Sequence, residues 1–190
     1  GFIASDLNDA GWVVGNPGFA IDPADGFHEL DTLGGGSAVA QAGNATGAVA
    51  GSADLGPNGG PTVAVLWDPS GVPLGLGTLP AVGPYGAGNT SGAYDVNAGG
   101  TVVGWGTVEG DSVSHAFVWH ESTGIRDLGT LGGEEATAYA VNDNDVIVGE
   151  SIVGDGTWRS HATLWMPSDD VTPPTVRCEA VHFLLHERRT

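Results

Sequence analysis

Lysine is absent from this sequence, and arginine occurs five times against 23 aspartates and glutamates, a formal net charge of −18. Binding to phosphate backbones depends on clustered cations that displace counterions, so nucleic acid and anionic membranes are excluded as partners. Cys178 is the single cysteine, which rules out an internal disulfide and a thiolate metal cluster. No run approaches 18 apolar residues, so nothing reads as a membrane-spanning helix. No stretch of ten or more residues follows a helical period. HExxH, GxSxG, CxxC and P-loop patterns are all missing, which leaves zinc hydrolase, serine hydrolase and nucleotide-binding readings without a motif. The chain opens Gly1-Phe2-Ile3, with neither Met nor a signal-like segment, as a processed or excised piece would.

What the chain does contain is glycine, 33 residues of it, and a repeat. Asn8, Asn44, Asn97 and Asn142 are each followed seven residues later by a glycine, at 15, 51, 104 and 149. Gly11, Gly47 and Gly100 stand three residues after the Asn, with Asp145 in the fourth copy. Asn in the first and Gly in the fourth position is a β-turn signature, so the unit reads as strand, tight turn, strand.

A second element is a run ending in Trp67, Trp119 and Trp165, written AVLW, AFVW and ATLW, with Phe19-Ala20-Ile21 as its first copy. Nine residues after Ile21, Trp67 and Trp119 come Leu30, Leu76 and Leu128, within LDTLGG, LGTLPA and LGTLGG. These supply strands three and four. Four short strands per unit of 36 to 53 residues predict an all-β fold, a small β-propeller of about four four-stranded blades, open or part of a larger ring. The units fall at 1–36, 37–86, 87–135 and 136–166, with 167–190 as a tail. Small residues such as Ala136, Ala138 and Ala140 suit an innermost strand, and the three tryptophans are expected to fill the space between blades.

The stretches HAFVWHESTGIRDLGTLGG (115–133), TAYAVNDNDVIVG (137–149) and HATLW (161–165) resemble the bacterial HAF repeat, a "probable extracellular repeat" family. The likeness extends over roughly residues 1–166, with Val63 in place of the His in the second unit. It implies secretion and a β-rich repeat fold, and it brings no catalytic residues with it. The tail departs from the pattern: Pro174 stands where Leu is expected, and Arg177, Arg188 and Arg189 are three of the five cations. A strand within Val176 to Leu185 completing the last blade is favoured slightly over a foreign extension. Because unit one starts at its own first strand, closure depends on that tail or on a second chain, giving a monomer or a homodimer.

In such a blade the loops after strands two and four share one face. That face collects Asp54, Trp105, Glu109, Asp111, His115, Glu134, Glu135, Asp155, Trp158 and His161. The other holds the Asn turns, His120 and Glu121. Ile21 comes six residues after Gly15 where Trp67 comes 16 residues after Gly51, so the first face should carry a notch at unit one. Variable loops on a fixed scaffold are where sites are built. The expected ligand-binding set is therefore Trp105, Glu109, Asp111, His115, Glu134, Glu135, Trp158 and His161. Tryptophans stack on sugar rings and carboxylates accept hydroxyl protons, so carbohydrate is one expected ligand and another protein a second. The leading expectation is an extracellular binding or interaction module. A glycosidase-like hydrolase drawing its carboxylates from Glu134, Glu135 and Asp111 is the alternative. DLNDAG, DVNAGG and NDND alternate oxygen side chains beside glycine as calcium loops do, but they lack the closing bidentate Glu. No metal site is assigned to them, and calcium, where it binds, should be weak and peripheral.

Overall fold

The computed structural model describes residues 1–57, 60–80, 87–108, 113–167 and the backbone of 177–180. It contains four four-stranded antiparallel sheets, each a meander in chain order, and no helix among the described residues. The first sheet is β1 (Ile3–Leu7), β2 (Val13–Asn16), β3 (Phe19–Asp22) and β4 (Gly26–Glu29). The second is β5 (Gly34–Gly43), β6 (Val49–Leu55), β7 (Thr62–Trp67) and β8 (Pro73–Gly77). The third is β9 (Ala87–Val96), β10 (Val102–Val108), β11 (Val113–His120) and β12 (Gly124–Asp127). The fourth is β13 (Gly132–Val141), β14 (Ile147–Val153), β15 (Ser160–Met166) and β16 (Arg177–Ala180). β16 lies within the tail segment expected to supply a strand, and it pairs with β15 from Thr163↔Ala180 to Met166↔Arg177.

Each first strand hairpins into the second through the Asn turn. The amide of Gly11, Gly47, Gly100 or Asp145 donates to the Asn carbonyl three residues earlier, at 2.9 to 3.1 Å. All four of these residues have positive φ, from 56° to 89°, which explains glycine in three of them. The Asn Oδ1 accepts the amide four residues on in every unit, and the amide two residues on as well at Asn8, Asn44 and Asn142, as in Ala10 and Trp12 to Asn8 at 3.0 and 3.1 Å.

The glycine seven residues after each Asn answers a different demand. It sits on the second strand where the first strand carries a register irregularity, as between Val103↔Asp95 and Gly104↔Ala93. A Cβ at Gly15, Gly51, Gly104 or Gly149 would drive into the backbone carbonyl of Ile3, Val39, Gly92 or Thr137 on the first strand. The exact spacing is therefore a steric requirement of the hairpin.

Sheets pack in chain order, the first strand of each lying against the sheet before it: β5 on β1 and β2, β9 on β6 and β7, β13 on β10 and β11. Three cores fill the seams. Val14, Ala20 and Leu30 meet Val49, Val65 and Trp67 in the first. Ala50, Ala64 and Leu76 meet Val102, Phe117 and Trp119 in the second. Val103, Ala116 and Leu128 meet Ile147 and Trp165 in the third. The tryptophans thus fill the spaces between sheets, with Trp67 and Trp165 fully buried. Their indole N–H groups donate to the Asp31 and Leu128 carbonyls, which follow the last strand of the preceding sheet, at 2.7 and 3.1 Å. Burying an indole removes roughly 150–250 Å² from water, worth on the order of 4–6 kcal/mol at about 25 cal/mol per Å².

The Asn side chains join the sheets as well as shaping the turns. Asn8 Nδ2 donates to the Gly43 and Asn44 carbonyls, Asn44 Nδ2 to the Asn97 carbonyl, and Asn97 Nδ2 to the Asn142 carbonyl, all within 2.8 to 3.0 Å. The turn between β7 and β8 is a natural control. Asp68 Oδ1 accepts from Ser70 and Val72, and Gly71 donates to the Asp68 carbonyl, the same geometry with no donor to reach onward. The turn needs only the oxygen; the seam needs the NH₂.

Asn44→Asp should therefore destabilise the fold, because it removes a nearly buried donor and sets a carboxylate against the Asn97 carbonyl. A loss of about 1–3 kcal/mol is expected in urea denaturation, whereas Asp68→Asn, in an exposed turn, should leave the midpoint nearly unchanged. Gly104→Ala should cost roughly 1–3 kcal/mol in the same assay, as overpacking against backbone does.

Candidate functional site

The structure disperses much of the set expected to bind ligand. Glu109 and Asp111 lie outside the described residues. His115 is buried, 5% exposed, with its Nδ1 2.7 Å from Asp127 Oδ2, and so it ties β11 to β12. Side chains alternate along a strand. His115 therefore shares the face of Phe117 and Trp119, which is turned to the second sheet. Trp105, opposite Ala116 in the ladder, takes the other face, turned to the fourth sheet. His161 shares the face of Trp165 and looks back toward the third sheet, so Trp105 and His161 border one seam. Glu134 and Glu135, expected in a loop, belong to β13. With Gly133 they bulge opposite the single residue Ile152, and both are exposed. Trp158 stands 67% exposed at φ 55° between β14 and β15. Asp54 accepts the Thr62 hydroxyl across the β6–β7 hairpin, and Asp155 accepts that of Thr157.

The acidic turns considered for calcium have other uses. Asp6 Oδ2 accepts the Gly43 amide at 3.0 Å and Asp95 Oδ2 the Val141 amide at 2.8 Å, each two residues before the repeat Asn and each crossing to the next sheet. Ala42 occupies this position in unit two and Ala140 in unit four, so the device serves the first and third seams. Burial pushes the Asp95 carboxyl above its ordinary value of 3.8, against the opposing pull of the Val141 and Val96 amides.

A cleft of about 310 Å³ opens at the Asn-turn end of the seam between sheets three and four. Val118, Ile147, Trp165 and Met166 supply its apolar lining, and Thr101, His120, Ser122, Thr123, Arg126 and Asp145 its polar groups. The β11–β12 turn presents His120 and Ser122. The Ser122 amide donates to His120 Nδ1 at 3.2 Å and the Ser122 hydroxyl lies 2.8 Å from it, an arrangement that leaves Nε2 to carry the proton. Arg126 stands opposite Val118 on β12. Its Nε is buried with no hydrogen-bond partner, and no carboxylate pairs with the guanidinium among the described residues. Among the described residues, a buried guanidinium nitrogen left without a partner at a cleft is unexpected in a chain so rich in carboxylates.

Asp145 explains its own departure from the repeat. Its carboxylate Oδ1 accepts from Asn97 Nδ2 at 2.8 Å and from the Thr101 hydroxyl at 2.7 Å, fixing the cleft's rim across the seam. Asp143 Oδ1 adds a bond from the Ala98 amide at 3.0 Å. Sequence reasoning placed His120 on this face but passed over Arg126, Thr101, Ser122 and Thr123. The available signals were the rarity of cations and the substitution of Asp for Gly where φ is positive.

No protein-family model matches the chain, and no curated protein or solved structure matches it either.

A carboxyl with a raised folded-state pKa takes up protons on folding, so its cost is complete above that pKa and disappears as the pH falls toward 3.8. Asp95→Asn keeps an oxygen acceptor and removes the charge. Its stability relative to the unaltered chain should be greatest near neutrality and should shrink toward zero below the unfolded-state pKa, as urea midpoints across a pH series would report.

Proposed function

We propose that this chain is an extracellular binding module, a β-propeller-type array related to the HAF repeats, whose ligand occupies the cleft between sheets three and four. The observation that carries the reading is Arg126, a cation with no carboxylate partner among the described residues, at a cleft walled also by hydroxyls, an imidazole, apolar side chains and the Asp145 carboxylate, whose Oδ1 is taken by Asn97 and Thr101. That mixture suits a saccharide bearing a carboxylate. Arg126 receives the acid group; Thr101, Ser122, Thr123 and the His120 Nε2–H pair with hydroxyls; and Val118, Ile147 and Met166 take the apolar face of a sugar ring. The field of a −18 chain opposes an anionic ligand at long range, but at physiological salt it is screened over about 8 Å, and the local guanidinium decides. The extracellular assignment comes from the motif resemblance in residues 115–165 and agrees with the lysine-free, acidic composition.

Calorimetric titration with uronate-containing and neutral oligosaccharides tests this reading. The acidic ligands should bind more tightly, and Arg126→Ala should weaken them by about 10- to 100-fold, the loss of one charge-assisted hydrogen bond. His120→Ala should cost about tenfold or less. The double change Glu134→Gln with Glu135→Gln, at the other end of the sheets, should leave affinity unaltered. If the glutamine pair abolishes binding, or reveals loss of a glycosidase activity, while Arg126→Ala does not affect it, the working end is the one that carries Glu134 and Trp158.

A further inference from the structure

The seam between neighbouring sheets is built three times in this chain, always from the same two half-surfaces. The half on the earlier sheet includes the residue six after the repeat Asn: Val14, Ala50 and Val103, exposed by 1%, 0% and 0%. The half on the later sheet includes the residue just before the Asn, Val96 and Val141 at 5% and 8%, and the last residue of the third strand, Trp67, Trp119 and Trp165 at 0%, 8% and 0%.

Both halves recur without cover at the two ends of the array. On the fourth sheet the residue six after the Asn is Val148, exposed by 45%, with Leu164 opposite it in the ladder. On the first sheet the later-half positions are Leu7 at 66% and Ile21 at 37%. Beside Ile21, exposed Phe2 and Phe27 pack over buried Phe19, with centroids 5.1 to 5.7 Å apart, and extend the same apolar surface. No packing like that within the three seams joins sheet four to sheet one among the described residues.

The hydrogen-bond relay stops at the same two places. Asn8, Asn44 and Asn97 each donate Nδ2 to the next unit's Asn carbonyl; Asn142 Nδ2 has no acceptor among the described residues. The carbonyls of Asn44, Asn97 and Asn142 each receive such a donor, and among the described residues that of Asn8 does not.

The geometry points to head-to-tail self-association, in which sheet four of one copy packs on sheet one of a second copy and recreates the internal seam. Continuity with an interface the chain already makes three times identifies the occupant: the exposed first sheet has the shape and donors' partners that a fourth sheet fits. Such a contact is heterologous, so it ends either in a closed ring or in an open chain of copies. Like charges oppose it, and added salt strengthens it by screening.

Sedimentation equilibrium of the 190-residue chain over a concentration series, at low and high salt, reads the association directly. The average mass should rise with concentration, and more steeply at high salt. Leu7→Asp and Val148→Asp change exposed residues at opposite ends, so each should stay folded by circular dichroism and each alone should weaken association by tenfold or more. Mixed together, the two variants should form a one-to-one dimer that grows no further, since each keeps the half the other has lost. A chain that stays monomeric at every concentration and salt overturns the proposal. So does an association that survives Val148→Asp and fails only with Leu7→Asp, which would mean two first sheets meeting face to face.

Discussion

One side-chain amide sets both the shape and the spacing of this molecule. In each unit the Asn oxygen holds the turn between the first two strands while its NH₂ group, in the first three, reaches the backbone of the next turn. Neither half suffices alone. Asp68 shows that a carboxylate can hold the same turn, so Asn at the first three positions is required by the donor and the seam it fixes. Because the donor is short and rigid, successive turns are held at hydrogen-bonding distance. The sheets attached to them must then meet at one separation, which the tryptophans fill.

The hydrophobic term and the polar term therefore act at different distances from the first strands within the same seam. Near the first strands, where alanines let backbones approach, the contacts are hydrogen bonds: the Asn relay, the Asp6 and Asp95 carboxylates, and Ser91, which accepts the Ala64 amide and donates to the Gly77 carbonyl. Further out, indoles and valines take over, and even there each fully buried tryptophan donates its N–H to the segment that leads out of the preceding sheet. Polar bonds specify the register, and apolar area supplies most of the stability.

The fold was legible because its requirements recur at fixed spacing. The Asn-to-Gly interval marked a hairpin, and the AVLW-type runs marked the third strands and the core. What was not legible depends on three dimensions. The Asn-to-Gly interval could be read without knowing that a carbonyl forbids a Cβ there. Glu134 and Glu135 follow LGG and looked like loop residues, yet a bulge carries them into β13. His115 and Trp105 adjoin the same loop, as their place in the sequence shows, but strand alternation turns them to opposite sides of the third sheet and so into different seams. The cleft escaped notice because its walls come from two units, and no local pattern links Arg126 to Ile147. Asp145 was visible as an exception to glycine, and its reason lay in the neighbouring unit.

The steric closure at Gly104 and its counterparts has a consequence for how such chains can change. A single residue inserted between an Asn and its glycine would move a side chain into the carbonyl of the first strand, and would also flip the second strand's core residues to the wrong face. A whole unit gained or lost disturbs none of these contacts, since among the described residues the packing that builds the cores joins sheets adjacent in the chain. Variation in this architecture is thus quantised: length changes by complete units, or within the loops joining the second and third strands, and the hairpin itself stays fixed.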